Sequence, residues 1–174
     1  LSRGLGDVYK RQLQDLEQVR SCVTVPVLRK DFIASDYQIF EARALGADLV
    51  LLIAAGLERN ALSRLKGLID QLGMTALIET HSEDEILFAC EIGAELIGIN
   101  TRDLQTFQTN RELFGELASS VDTDAIKIAE SSVRNVSDVE QYASYGADCV
   151  LVGEALVTGD AADLVSSFSQ VMKP

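Results

Sequence analysis

The chain has 174 residues, 47% of them hydrophobic, and a formal net charge of −12 at pH 7. That is apolar material for one core rather than two domains, and no run approaches the roughly 18 apolar residues of a membrane span. The acidic balance and the lack of a basic cluster exclude a nucleic-acid surface. Cys22, Cys90 and Cys149 lie too far apart for a metal site, and they read as reduced thiols of a cytoplasmic protein.

In chain order, Leu1 to Gln12 has no apolar period and is expected to form no element. It reads as a foreign leader, without secretory character, joined to a truncated coding sequence; a native disordered tail is the alternative. One domain over residues 13–174 is expected to follow. A helix is expected over Leu13 to Arg20, then a strand near Val25–Leu28. That strand runs directly into Leu28-Arg29-Lys30-Asp31-Phe32-Ile33, so a lysine and an aspartate stand where the chain leaves the core. A helix near Tyr37–Leu45 is capped by Ser35 or Asp36. It is followed by a strand at Leu49–Leu52, a helix at Glu58–Leu72 and a strand at Thr75–Ile78. Ser82 and Glu85 have capping-box spacing before a helix at Glu83–Ile92. Strands near Leu96–Ile99, Ile126–Ala129 and Cys149–Val152 then alternate with helices near Arg111–Ser119, Val136–Tyr145 and Ala161–Met172. Asn135 or Ser137 caps the second of these helices.

Three segments repeat one pattern: Leu45-Gly46-Ala47-Asp48, Ile92-Gly93-Ala94-Glu95 and Tyr145-Gly146-Ala147-Asp148, each before an apolar strand. Each reads as helix end, glycine stop, small residue, acid and buried strand. Gly73 before Met74–Ile78 is a looser copy. Such repetition marks stacked βα units. Six units suit a doubly wound sheet or an eight-unit barrel missing its first two strands. The leucine at position 1 favours the barrel. The expected class is therefore α/β: a (βα)₈ TIM barrel with about six of its eight units in this chain.

Polar groups end the strands: Lys30, Glu79, Asn100 with Arg102, Glu130 with Ser131, and Gly153 with Glu154. Strand alternation places Pro26 and Leu28 on the side of Lys30, Leu77 with Glu79, Gly98 with Asn100 and Ile128 with Glu130. Lys30 and Glu79 then form an acid–base pair; a salt bridge from Lys30 to Asp31 is the plain alternative. Asn100 can orient hydroxyls. Arg102 can hold a carboxylate, or pair with Asp103. Ser131, Ser132, Gly153 and Glu154 follow the last two strands, where barrels commonly bind phosphate. Phe32, Leu51 and Leu104 lie near strand tops and can line an aromatic pocket or pack the core. His81, the single histidine, reads as a solvated loop residue.

These runs resemble indole-3-glycerol phosphate synthase. Pro26 to Ile33, Gly46-Ala47-Asp48, Leu77-Ile78-Glu79, Ile97-Gly98-Ile99-Asn100-Thr101-Arg102-Asp103-Leu104, Ala129-Glu130-Ser131 and Leu151-Val152-Gly153-Glu154 carry the likeness. It runs in order from about Leu13 to the C-terminus. The resemblance implies closure of the indole ring of 1-(2-carboxyphenylamino)-1-deoxyribulose 5-phosphate with loss of CO₂ and water, without cofactor or metal. It implies Lys30 as general acid, Glu79 as acid–base group, and Asn100 with Glu130 orienting hydroxyls. Arg102 would lie near the anthranilate carboxylate and Phe32, Leu51 and Leu104 against the ring. Ser131, Ser132, Gly153 and Glu154 would face the phosphate.

Two departures stand out. Ser132 occupies a position where the family usually has glycine, and a positive φ there strains a serine. No match exists to the family's Glu-x-Lys-x-x-Ser-Pro-Ser first-strand motif. This chain is therefore expected to be weakly active or inactive, with open sheet edges that favour self-association. The rival readings are another phosphate-binding barrel, such as phosphoribosylanthranilate isomerase, and a non-catalytic half-barrel that pairs with a partner chain. Cys149 at a strand start speaks against the first.

Overall fold

The computed structural model describes the backbone of residues 5–102 and 108–174, with side chains from residue 13 onward. Helices and strands alternate: α1 (Leu5–Cys22), β1 (Leu28–Arg29), α2 (Asp36–Ala44), β2 (Leu49–Ile53), a 3₁₀ turn (Ala54–Gly56), α3 (Arg59–Gln71), β3 (Thr75–Thr80), α4 (Glu83–Glu91), β4 (Leu96–Asn100), α5 (Glu112–Ala118), β5 (Ile126–Glu130), α6 (Val136–Ser144), β6 (Cys149–Leu151), α7 (Glu154–Thr158) and α8 (Ala161–Phe168). This is the parallel strand–helix alternation of a partial (βα)₈ barrel. The chain divides within β3 into two compact units, residues 1–77 and 78–174. No described helix is long and apolar enough to cross a membrane.

In the first unit the strand order is β1, β2, then the start of β3. β1 and β2 are parallel, with Leu28 opposite Leu49. Leu62, Leu65 and Ile69 make one buried stripe on α3, and they pack with Ile39 and Ala42 of α2 and Val50 and Leu52 of β2, all at most 1% exposed. In the second unit the end of β3 precedes β4, β5 and β6. Asn100 lies opposite Glu130, and Glu130 opposite Leu151, so the strand ends are level. Ile86, Ile97, Ile99, Phe114 and Tyr142 are fully buried there, and the Phe114 and Tyr142 rings meet edge to face at 5.3 Å.

Four expectations are corrected. The first helix starts at Leu5, so Leu5 to Gln12 is helical rather than without structure; residues 1–4 lie outside the described residues. β1 is only Leu28–Arg29, because Pro26 brings no N–H. Just before it, the Val27 N–H donates to the Asp48 carboxylate at 2.8 Å instead of to a strand. A short helix, α7, stands between β6 and the last helix, and that last helix ends at Phe168, short of Met172. The repeated stops behave as expected: Gly46, Gly73, Gly93 and Gly146 have φ between 70° and 91°.

The expected caps are met unevenly. Ser35 is the N-cap of α2, but its side chain makes no cap bond. The Ser82 hydroxyl accepts the Glu85 N–H, yet Glu85 answers the His81 N–H, not that of Ser82. Asn135 and Asp138 form a complete capping box on α6.

Candidate functional site

In the second unit, parallel pairing carries Glu79, Asn100 and Glu130 to the ends of β3, β4 and β5. The three are 3%, 9% and 2% exposed, respectively. Buried polar groups need partners, and Asn100 supplies several. Its Nδ2 donates to Glu79 Oε1 at 2.9 Å. Its Oδ1 accepts from the Ser131 hydroxyl at 2.8 Å and from the Arg102 N–H at 3.0 Å. One amide therefore fixes a carboxylate, the loop after β4 and the loop after β5. This cluster can hold a proton-transferring carboxylate in one orientation beside hydroxyl-binding groups.

Ser131 and Ser132 turn the chain after β5 with φ of 71° and 63°. The turn rests on a buried polar network. The Tyr142 hydroxyl donates to the Ser131 carbonyl at 3.2 Å and lies 2.9 Å from Thr101 Oγ1. Thr101 also donates to the Glu130 carbonyl and lies 3.3 Å from the Ser132 hydroxyl. Arg111 reaches the Ser132 carbonyl at 3.4 Å and pairs with Asp138. Burial pushes the Tyr142 phenol above its ordinary value, against the lowering effect of its hydroxyl partners and of Arg111. Gly153 and Glu154 are exposed where β6 gives way to α7. Glu154 lies 3.8 Å from Arg102 Nη2, so Arg102 faces an acid of the chain itself. Asp103, the expected partner, and Leu104 lie outside the described residues.

In the first unit, Lys30 follows β1 and is exposed, on the side opposite buried Arg29. Arg29 pairs with Glu41 at 2.9 Å and with Asp31 at 3.4 Å. Asp31 is thus engaged by Arg29. Phe32 is 81% exposed, whereas Leu51 is 2% exposed in the core.

His81 is not the solvated loop residue expected from its position. Its side chain is 15% exposed rather than solvated, with Nε2 3.5 Å from Glu79 Oε1 and Nδ1 3.7 Å from Glu85 Oε2. The available signal was spacing: a histidine two residues after a strand-end glutamate and four before another.

The family model described as indole-3-glycerol phosphate synthase matches residues 6–168. A Leifsonia xyli protein of that name is 53% identical over 163 residues, covering 94% of this chain and 63% of its own. A Rhodococcus opacus protein of that name is 52% identical over 164 residues, covering 91% of this chain and 61% of its own. The chain thus spans less than two thirds of the length of these curated relatives. Among solved structures, 3-hexulose-6-phosphate synthase from Salmonella typhimurium aligns with a TM-score of 0.75 at 16% identity, over 91% of this chain and 79% of its own. A mandelate oxidase mutant aligns with a TM-score of 0.68 at 16% identity, over 89% and 56%. These two likenesses speak to the fold alone. The match over residues 6–168 places this chain in the indole-3-glycerol phosphate synthase family.

Proposed function

We propose that this chain carries the strand-end machinery of indole-3-glycerol phosphate synthesis, a carboxy-lyase reaction of tryptophan biosynthesis. Its substrate is 1-(2-carboxyphenylamino)-1-deoxyribulose 5-phosphate, which closes to the indole with loss of CO₂ and water. The observation that carries this reading is the buried Glu79–Asn100–Ser131 cluster at level strand ends.

Lys30 is the general acid that protonates the substrate carbonyl as the ring closes. Glu79 moves the proton of the dehydration, and Asn100 holds that carboxylate still. Asn100 and Glu130 orient substrate hydroxyls. Arg102 serves the anthranilate carboxylate, a fitting role for a guanidinium already facing an acid, Glu154. Phe32 and Leu104 pack the aromatic ring, with Leu51 shaping the core beneath. Ser131, Ser132, Gly153 and Glu154 face the phosphate, where the left-handed serine turn presents backbone N–H groups.

Indole fluorescence after addition of the substrate tests this reading. Two proteins are compared: this chain, and this chain fused to the part of the Leifsonia xyli relative that lies outside the match. The fused protein is expected to form indole product, and the chain alone to give little. Glu79→Gln in the fused protein is expected to lower kcat by about 100-fold or more. A folded fused protein that forms no product removes the proposal and favours a non-catalytic partner-binding role.

A further inference from the structure

His81 follows β3 directly, and its backbone N–H donates to Glu85 Oε2 at 2.7 Å. That bond ties the turn after β3 to the first turn of α4. It also sets the imidazole between two carboxylates, with Nε2 toward Glu79 and Nδ1 toward Glu85. Both ring nitrogens are buried, and neither makes a hydrogen bond of standard length among the described residues. Such a ring costs free energy unless something compensates. Here each nitrogen faces an acid that closes to hydrogen-bond length with a shift of roughly half an ångström.

Glu79 Oε1 is the inner end of this row. The Asn100 amide holds it at 2.9 Å, and the His81 ring faces the same oxygen. Glu85, with a side chain 22% exposed, is the outer end. Burial raises the Glu85 carboxyl, but the His81 backbone N–H and the nearby ring outweigh this and bring it below its ordinary range. Imidazole suits the place because it presents a nitrogen on each of two sides.

We propose that His81 is a positioning residue for the Glu79 carboxylate, braced by Glu85 and acting on the reaction through Glu79. This rests on the acid–base role of Glu79 proposed above. His81 is the only histidine of the chain, so its ring gives one set of imidazole resonances. In the ¹⁵N-labelled 174-residue chain at constant neutral pH, Glu79→Gln is expected to shift the Nε2 resonance. Glu85→Gln is expected to shift Nδ1. Glu91→Gln, an exposed residue at the end of α4, is expected to shift neither. Ring resonances indifferent to Glu79→Gln overturn the inference, whether or not the chain turns substrate over. In the fused protein, His81→Gln is expected to lower kcat by about 10-fold to 100-fold with KM unchanged, and parent-like kcat also overturns it. If the resonances couple as expected but Glu79→Gln leaves turnover intact, it is the role of Glu79 that fails, not the contact.

Discussion

Ser132 holds φ at 63° directly after Ser131 at 71°. An L-residue pays about 1 kcal/mol for the left-handed region, and two in succession are rare outside sites that need the turn. The compensation is visible: Arg111, Thr101 and Tyr142 all bond to this turn. Glycine at 132 relieves the strain at the cost of the hydroxyl's contacts to Thr101, at 3.3 Å, and to the Tyr142 phenol. Ser132→Gly is therefore expected to raise unfolding stability by about 1 kcal/mol, read as a higher urea midpoint at unchanged slope. A lowered midpoint would mean that the hydroxyl contributes more than the backbone costs. The serine was legible as a departure in the sequence. The network that sustains it was not, because Thr101, Arg111 and Tyr142 come from separate elements.

At the scale of elements, the repeated glycine–small–acid segment gains a physical purpose. The two aspartates of the repeat do the same work in the two units. Asp48 accepts the Val27 N–H at 2.8 Å and pairs with Arg20 at 2.7 Å. Asp148 accepts the Lys127 N–H at 2.9 Å and pairs with Lys173 at 2.6 Å. In each case the carboxylate takes an N–H near the start of the preceding strand, where the ladder has no partner for it, and adds a cation from a helix or tail. Glu95, in the remaining copy, gives the next strand its backbone carbonyl, as Asp48 also does. Burial raises the Asp148 carboxyl, and the Lys173 and Lys127 contacts more than reverse this, so it titrates below the ordinary aspartate range. A depressed folded value means that its stabilisation is present above about pH 4 and is lost as pH falls through the lowered value. Asp148→Asn is expected to cost about 1 kcal/mol or less near neutrality, since the site is partly exposed. It should also flatten the acid limb of a stability–pH curve. An acid limb that keeps the parent slope in the variant contradicts the assignment.

For the whole molecule, the helix and strand order and the strand-end groups were readable because periodicity and glycine stops act locally. Glu79, Asn100 and Ser131 could be placed at strand ends from the sequence, and the structure adds that one amide joins them. β1 and α7 were not legible: an aspartate from another loop takes the N–H just before β1, after a proline that offers none, and the five residues of α7 carry too little period to register. His81 was not legible as buried because its place depends on the tie between the turn after β3 and Glu85 of α4.

Self-association is the remaining expectation, and it belongs to this scale. Among the described residues β1 pairs only with β2, and β6 only with β5, so each is an edge within its own unit. Edge strands carry unpaired backbone groups that recruit other chains unless charge or cover blocks them. Beside β6 the side chains of Val150, Val152, Leu156, Val165 and Phe168 line a groove of about 540 Å³. Sedimentation is expected to show a concentration-dependent dimer or larger species formed from copies of this chain. A lysine at Val150, on the edge strand itself, is expected to shift the equilibrium at least tenfold toward monomer, by placing a charge where strands must meet. The same substitution on an outer helix face, at Glu140 of α6, is the control and leaves it unchanged. A chain that sediments as monomer at all concentrations shows the β6 edge to be protected, and it removes second-copy pairing from the account of how this chain functions.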